Sequence, residues 1–292
     1  MSKPGQFRAD LAARQRSWQG LETVDQGLPE LARHLLTNGP HRTQPTARRV
    51  RVILNSTCVV DTTKAVHVWE HVAYPQYYVP ITALRNCRWK DKQDIQSTGD
   101  ATQAAAAVVE VTVPGRNGGN DFTTDRALRF SDNGEISGAL KGLVRLEFGS
   151  MDQWLEEETP IYVHPKDPYK RIDILPSTRP VEINVAGKTV AKTGFAVHLL
   201  ETGLPTRYYL PLASVDQSAL RKSKLVTKCP YKGDAEYYNV VVDGKEYSDL
   251  VWYYRLPTQE SAGIAGLLCF YNEKVDIILD GEVLERPKTF FS

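Results

Sequence analysis

Two stretches of the sequence, residues 50–80 and 181–211, align without a gap and are identical at ten of 31 positions. The identities include Val50/Val181, His67/His198, Glu70/Glu201, Tyr77/Tyr208, Tyr78/Tyr209 and Pro80/Pro211. After a change of length, "CRWK" (87–90) faces "CPYK" (229–232), and "GLVRLEFGSMD" (142–152) faces "GLLCFYNEKVD" (266–276). Blocks recurring in one order mark a tandem duplication. The chain must therefore fold as two copies of one unit.

That unit reads as mostly β. "VRVIL" and "VEINV" alternate in polarity like half-buried strands, and "NST" and "AGK" punctuate them as hairpin turns. "AVHVWE" and "AVHLLE" supply a further strand. "AVVEVTV" and "YYNVVVDGKEYSDLVWYYR" read as strand pairs, the latter turning at Asp243–Gly244. "ESAGIAGLLCFY" suggests a short helix leading into a strand, and the Gly-rich "GRNGGND" (115–121) a long hairpin loop. "ADLAARQRSWQGLE" and "LPELARHLL" have helical spacing and precede a polar, linker-like "TNGPHRTQPTARR". The expected organisation is a helical extension and linker over 1–45, a divergent first repeat over 46–158 and a second repeat over 159–292.

With 292 residues, 41% hydrophobic and 24% charged, the composition is that of a soluble globular chain with room for two cores. A formal net charge of +1 gives no field that would favour nucleic acid or an anionic membrane. The N-terminus has no apolar signal region, and no run reaches the roughly 18–20 apolar residues of a membrane span. Cys58, Cys87, Cys229 and Cys269 form no CxxC pair, which argues against structural zinc and for a reducing, cytoplasmic compartment. No phosphate-binding GxxxxGK[ST] or GxGxxG loop, G-x-S-x-G elbow, HExxH pair or calcium loop is present. No cofactor or metal is expected.

In the second copy, "HPKDPYKRIDILPS" (164–177), "ETGLPTRYYLP" (201–211) and "CPYKGDAEYY" (229–238) stand in that order. Together they resemble the family called domain of unknown function 427, also labelled nucleotidyltransferase-like, over about 160–280. "VWEHVAYPQYYVP" in the first copy looks like the divergent first repeat of tandem, fungal-type members. The resemblance implies a mainly β fold: two tandem antiparallel β-tent-like (Mss4-like) domains, akin to the methionine sulfoxide reductase and Mss4 group. The paired CxxC motifs of that group's zinc-binding members are missing, so no zinc and no reductase chemistry carry over.

Three polar clusters are candidates to converge in the second copy. They are His164, Lys166, Asp167, Tyr169 and Arg171; then Glu201, Arg207 and Tyr208; then Cys229, Tyr231 and Lys232, with Trp252 and Tyr254 as aromatic walls. Each also has a structural reading. Glu201, Arg207 and the tyrosines suit an ion-pair network at a strand end, and Asp167 between prolines suits a turn. The first copy has Gln76 where the second has Arg207, so Glu–Tyr–Tyr reads as fold and Arg207 as site. The pairing of Cys87 and Lys90 with Cys229 and Lys232 moves the latter two towards structure, Cys229 as a buried small hydrophobe. His67 and His198, which match, read as packed strand residues.

The expectation is a metal-independent small-molecule enzyme of lyase, isomerase or hydrolase type. His164, Glu201 and Tyr208 would supply acid/base groups. Arg207, with Lys166, Asp167, Tyr169, Arg171, Tyr231, Lys232 and Trp252, would hold an anionic or strongly hydrogen-bonding substrate. A non-catalytic binding module is the alternative. Nucleotide transfer is a third reading, for which Asp234, Glu236 and Asp276 are the candidate carboxylates although no pair has diagnostic spacing.

Overall fold

A computed structural model of the chain describes residues 27–96, 103–115 and 119–289. Helix α1 (Leu28–Asn38) has a proline in its first turn and stops at Gly39, whose φ of 70° an L side chain resists. Leu28, Ala32 and Leu35 recur along one face and are buried. The "ADLAARQRSWQGLE" stretch lies outside the described residues.

The rest is antiparallel β. The first unit contains β1 (Arg42–Pro45), β2 (Val50–Leu54), β3 (Thr57–Thr62), β4 (Val66–Trp69), β5 (Gln76–Pro80), β6 (Arg88–Gln96), β7 (Ala104–Val113), β8 (Phe122–Phe130), β9 (Leu143–Leu146), β10 (Gln153–Glu156) and β11 (Thr159–Ile161). They form a seven-stranded sheet, β1-β4-β5-β9-β8-β7-β6, and a four-stranded one, β11-β10-β2-β3. The second unit contains β12 (Ile172–Ser177), β13 (Val181–Val185), β14 (Lys188–Thr193), β15 (Ala196–Glu201), β16 (Arg207–Leu210), β17 (Leu220–Cys229), β18 (Gly233–Val242), β19 (Lys245–Pro257), β20 (Leu268–Phe270), β21 (Asp276–Leu279) and β22 (Glu282–Val283). Its sheets run β12-β15-β16-β20-β19-β18-β17 and β14-β13-β21-β22, the same topology strand for strand.

The duplication extends to detail. β2 and β13 share the alternating burial of a half-buried strand. Their hairpins carry the same bulge, between Val52/Ile53 and between Ile183/Asn184. Both turn through two left-handed residues, Asn55–Ser56 and Ala186–Gly187, as a two-residue hairpin with the strands' twist requires. The Asp243–Gly244 turn between β18 and β19 is left-handed at both residues too. Gln259–Ile264 is a short 3₁₀ turn leading into β20.

Tertiary contacts divide the chain between Asp167 and Pro168, not between 158 and 159. β10 pairs with β2 and β11 with β10, and the chain holds to the first unit for six more residues through side chains described below. Nor do residues 28–45 form a separate extension: α1 packs on the first unit and β1 is an edge of its large sheet.

In both units the inner face of the seven-stranded sheet packs on the four-stranded sheet to form the main core. The outer faces differ. In the first unit Val68, Tyr78, Val108, Leu128, Phe130 and α1 make a second apolar core. In the second unit the outer face gathers Tyr209, Tyr237, Trp252, Tyr254 and Cys269.

One sequence equivalence fails. Bridges Val60–Leu84 and Ala191–Val215 occupy the same place in the two units. Cys87, three residues past Leu84, thus corresponds to Ser218, and Lys90 to Arg221. Cys87 precedes β6, whereas Cys229 ends β17. "CRWK" and "CPYK" are therefore unrelated, and Cys229 and Lys232 lose the repeat partners that made them look structural.

Candidate functional site

On the outer face of the second unit the two copies share a backbone and differ in chemistry. Register fixes the exchanges. Tyr78 pairs with Arg145 and Arg145 with Leu128; in the second unit Tyr209 pairs with Cys269 and Cys269 with Trp252. Leu128 is thus replaced by Trp252, Phe130 by Tyr254, Val108 by Tyr237 and Arg145 by Cys269.

The charge network is rebuilt accordingly. In the first unit the retained Glu70 takes hydrogen bonds from Arg145 Nε (2.6 Å) and Tyr78 OH (3.0 Å). In the second unit the equivalent Glu201 is held by Lys232, and by Lys170 at 3.2 Å. Lys232 reaches inward because β17 and β18 reverse tightly between Cys229 and Gly233. Gly233 has φ 99°, and a Cβ there would meet the Leu256 carbonyl oxygen at 3.3 Å. Burial pushes the Lys232 ammonium down, but contact with the Cys229 thiol and with Glu201 outweighs it and holds the pKa above the usual lysine range. Burial likewise works against the Glu201 carboxylate, yet Lys232 and then Lys170 bring it below the usual range. Lys170 also lies 5.4 Å from the centre of the buried Tyr231 ring.

Arg207, at the start of β16, forks onto Glu273 through Nη1 and Nη2, both at 2.8 Å, and lies 5.4 Å from the centre of the Trp252 indole. The equivalents of Arg207, Asn272 and Glu273 in the first unit are Gln76, Phe148 and Gly149. Thr289 also donates to Glu273. Asn272 Nδ2 donates to the Thr206 carbonyl at 2.8 Å, leaving its buried Oδ1 without a partner. Trp252 Nε1 donates to Tyr209 OH (3.0 Å), and Thr227 shares a hydrogen bond with Tyr237 OH (2.8 Å). Burial raises Tyr209 and Tyr254 well above ordinary phenols, so their hydroxyls stay protonated and can donate hydrogen bonds.

The sequence-derived site is therefore divided. Glu201, Arg207, Trp252, Tyr231 and Lys232 come together on this face. Tyr208 does not: strand alternation turns Arg207 and Tyr209 to the outer face and Tyr208 to the other, where its ring meets His198 at 4.9 Å. Stepping by two from Arg207 to Tyr209 and from Trp252 to Tyr254 would have found the right tyrosines. His164, Lys166 and Asp167 belong to the first unit. His164 stacks on Tyr74 at 3.9 Å, and Asp167 accepts from Trp69 Nε1 at 3.1 Å. Tyr169 is exposed, and Arg171 pairs at the surface with Asp173 (2.9 Å).

The carboxylates considered for nucleotide transfer do not gather. Asp276 pairs with Arg286, Asp234 with Lys228, and Glu236 with Lys222 and Arg255. Among the described residues no group of three His, Cys, Asp or Glu side chains is arranged to hold a metal ion. No helix among them is long and apolar enough to cross a membrane. A surface depression of about 390 Å³ lies elsewhere, on the first unit, lined by Arg49, Asp61, Lys64 and Thr82 among others.

One family model matches the chain twice, over residues 42–157 and 173–281, which together make up well over half of it. Its description is "Domain of unknown function (DUF427)". No curated protein matches the chain.

Proposed function

The chain belongs to the family described as domain of unknown function DUF427, and from that premise we propose that its second unit is a small-molecule enzyme working by acid/base chemistry without a metal. The observation that carries this reading is the chemical rebuilding of one sheet face on a retained backbone. Apolar Leu128, Val108 and Phe130 give way to Trp252, Tyr237 and Tyr254, and a single arginine gives way to a lysine pair around Glu201. Aromatic walls with a few fixed polar groups are the make-up of a small-molecule site.

Lys170, Lys232 and Arg207 against Glu201 and Glu273 leave one positive charge in excess, which suits an anionic substrate. Lys232, kept protonated, stabilises negative charge developing on a substrate oxygen, and Glu201 holds it in place. Arg207 on its Trp252 shelf orients the substrate's anionic group. Tyr209 and Tyr254 complete the donor set. The reaction class this serves is lyase, isomerase or hydrolase chemistry on an oxyanion-forming substrate.

A second reading, ligand binding without turnover, draws support from the mutual pairing of Glu201 with Lys170 and Lys232 and of Arg207 with Glu273. Screening the purified protein by thermal shift against metabolite carboxylates, phosphates and nucleotides, with and without Mg²⁺, tests both. A stabilising carboxylate or phosphate whose effect disappears in Lys232→Gln, and which NMR shows being converted, supports the enzyme. The same loss without conversion supports the binding module. Stabilisation only by nucleoside triphosphates with Mg²⁺ supports nucleotide transfer, and an unchanged shift in Lys232→Gln sinks this site.

A further inference from the structure

The lysine that pairs with Glu201 also touches a thiol. Cys229 is the last residue of β17, pairs with Gly233 and is partly exposed. Lys232, three residues on, contacts its sulfur and forms an ion pair with Glu201, which Lys170 also holds at 3.2 Å. Thiol, ammonium and carboxylate thus stand in one chain of contacts. Glu201 ends β15, and β16, β20 and β19 lie between β15 and β18 in the sheet. Four steps of about 4.8 Å would separate those strands by roughly 19 Å on a flat sheet. The contact therefore requires the β17–β18 end to curl over the outer face, and it carries Cys229 in with it. The thiol is near enough to act electrostatically on Tyr209, Tyr237 and Tyr254, the tyrosines of that face.

The first unit lacks this arrangement. Four residues back from the matched Val108 and Tyr237 stand Ala104 and Gly233; Ala104 pairs with Gln96 where Gly233 pairs with Cys229. At the shared glutamate, Arg145 takes the place of the lysines. The other cysteine of the face is of a different kind. Cys269 is fully buried, and burial pushes its thiol up, which makes it inert. Reactive cysteines sit partly exposed beside a cation, and even an unassisted thiol has a few per cent of thiolate at neutral pH. Lys170 already gives Glu201 a cation, so charge balance alone does not call for Lys232 beside the thiol.

The geometry points to Cys229 as the nucleophile of this site, and to carboxylic esters and amides with an anionic acyl group as its substrates. This rests on the outer face being an enzyme site, and it makes that enzyme a hydrolase. The thiol first loses its proton to solvent. Cys229 Sγ then attacks the carbonyl carbon, a C–S bond forms, and the carbonyl π pair moves onto the oxygen, beside the Lys232 ammonium. The oxyanion collapses, the bond to the leaving oxygen or nitrogen breaks, and the leaving group takes a proton from Lys232 Nζ. Water next attacks the thioester, its proton returns to Lys232, the C–S bond breaks and the thiolate is regenerated. The sum is acyl compound plus water giving a carboxylate, a proton and the free alcohol or amine.

The test mixes the full chain with mono(4-nitrophenyl) succinate, an ester with a carboxylate on its acyl part, and follows nitrophenolate release together with the mass of the protein. The expected result is a succinyl group that peptide mapping finds on Cys229, formed about a hundredfold faster than on N-acetylcysteine at the same pH. Cys229→Ala should abolish the adduct and the turnover while the thermal unfolding midpoint stays in place. Lys232→Gln should keep the adduct on Cys229 but slow its formation about a hundredfold. An adduct elsewhere, or acylation no faster than that of N-acetylcysteine, overturns the nucleophile. Turnover lost in Lys232→Gln but kept in Cys229→Ala overturns the nucleophile and leaves the acid/base site standing. Turnover unchanged in both variants overturns the site as well.

Discussion

The two seven-stranded sheets share topology, turn conformations and even a bulge, yet their outer faces are finished in opposite ways. In the first unit the face is mostly aliphatic, with Tyr78 and Phe130, and is capped by α1, and its carboxylate Glu70 is matched by one arginine. In the second unit the face is rich in aromatics, and the equivalent carboxylate, Glu201, is shared by two lysines. The inner cores, by contrast, have the same make-up in both, mostly aliphatic with a few aromatics: Tyr77 and Trp154 in the first unit, Tyr208, Tyr253 and Phe270 in the second. An inner face must fit a second sheet, so its residues are held to shape. An outer face is free to change once something other than a helix lies against it. Duplication therefore separates what the fold demands from what a site can vary.

The largest effect expected from breaking this comparison is at Arg145. Arg145→Met leaves Glu70 buried beside Tyr78 with no cation, and should cost about 3–5 kcal/mol in denaturant unfolding. Lys170→Met in the second unit should cost much less, about 1 kcal/mol, because Lys232 still holds Glu201. If the two substitutions cost the same, the idea that the networks are organised differently is wrong.

Next is the helix cap. Leu35 in α1 is 2% exposed in a core that the second unit does not build, and Leu35→Ala should cost about 2–4 kcal/mol. Unfolding of the first unit should shift, and a tryptophan probe at Trp252 in the second should be little changed if the units unfold separately.

The smallest effect concerns the histidines the copies share. Burial first, with Arg48 adding to it, lowers His67 from an ordinary 6.5 to about 4, while Asp167 opposes the shift only weakly. A depressed histidine takes up its proton more readily in the unfolded chain. Its contribution is therefore complete above about 6.5 and drains away as pH falls towards about 4. His67→Phe should flatten stability over that window, and His198→Phe, at a less buried position, should flatten it less. Urea melts at several pH values that showed the reverse order would overturn burial as the cause.

Much of this was legible in the chain itself. The repeat, the β class, the hairpin turns at "NST", "AGK" and "DG", and the contrast of Arg207 with Gln76 all rest on local periodicity or on comparing one copy with the other. Two local inferences failed for identifiable reasons. "CRWK" and "CPYK" look alike, but the first begins a strand and the second ends one, and a four-residue likeness carries no register. Tyr208 beside Arg207 looked like a pair because they are neighbours in sequence, whereas a strand sends neighbours to opposite faces.

What the amino-acid order determined, then, is the unit and its doubling, because hydrogen-bonding period and turn chemistry are short-range. What only the tertiary structure decided is partnership. Glu201 lies 31 residues from Lys232, and Arg207 lies 66 from Glu273. His164 and Asp167, adjacent in sequence to the second copy, are held by Tyr74 and Trp69 of the first. Buried charges and rings find the nearest partner in space, and which one is nearest is set by strand register, a property of the folded sheets and not of any segment read alone.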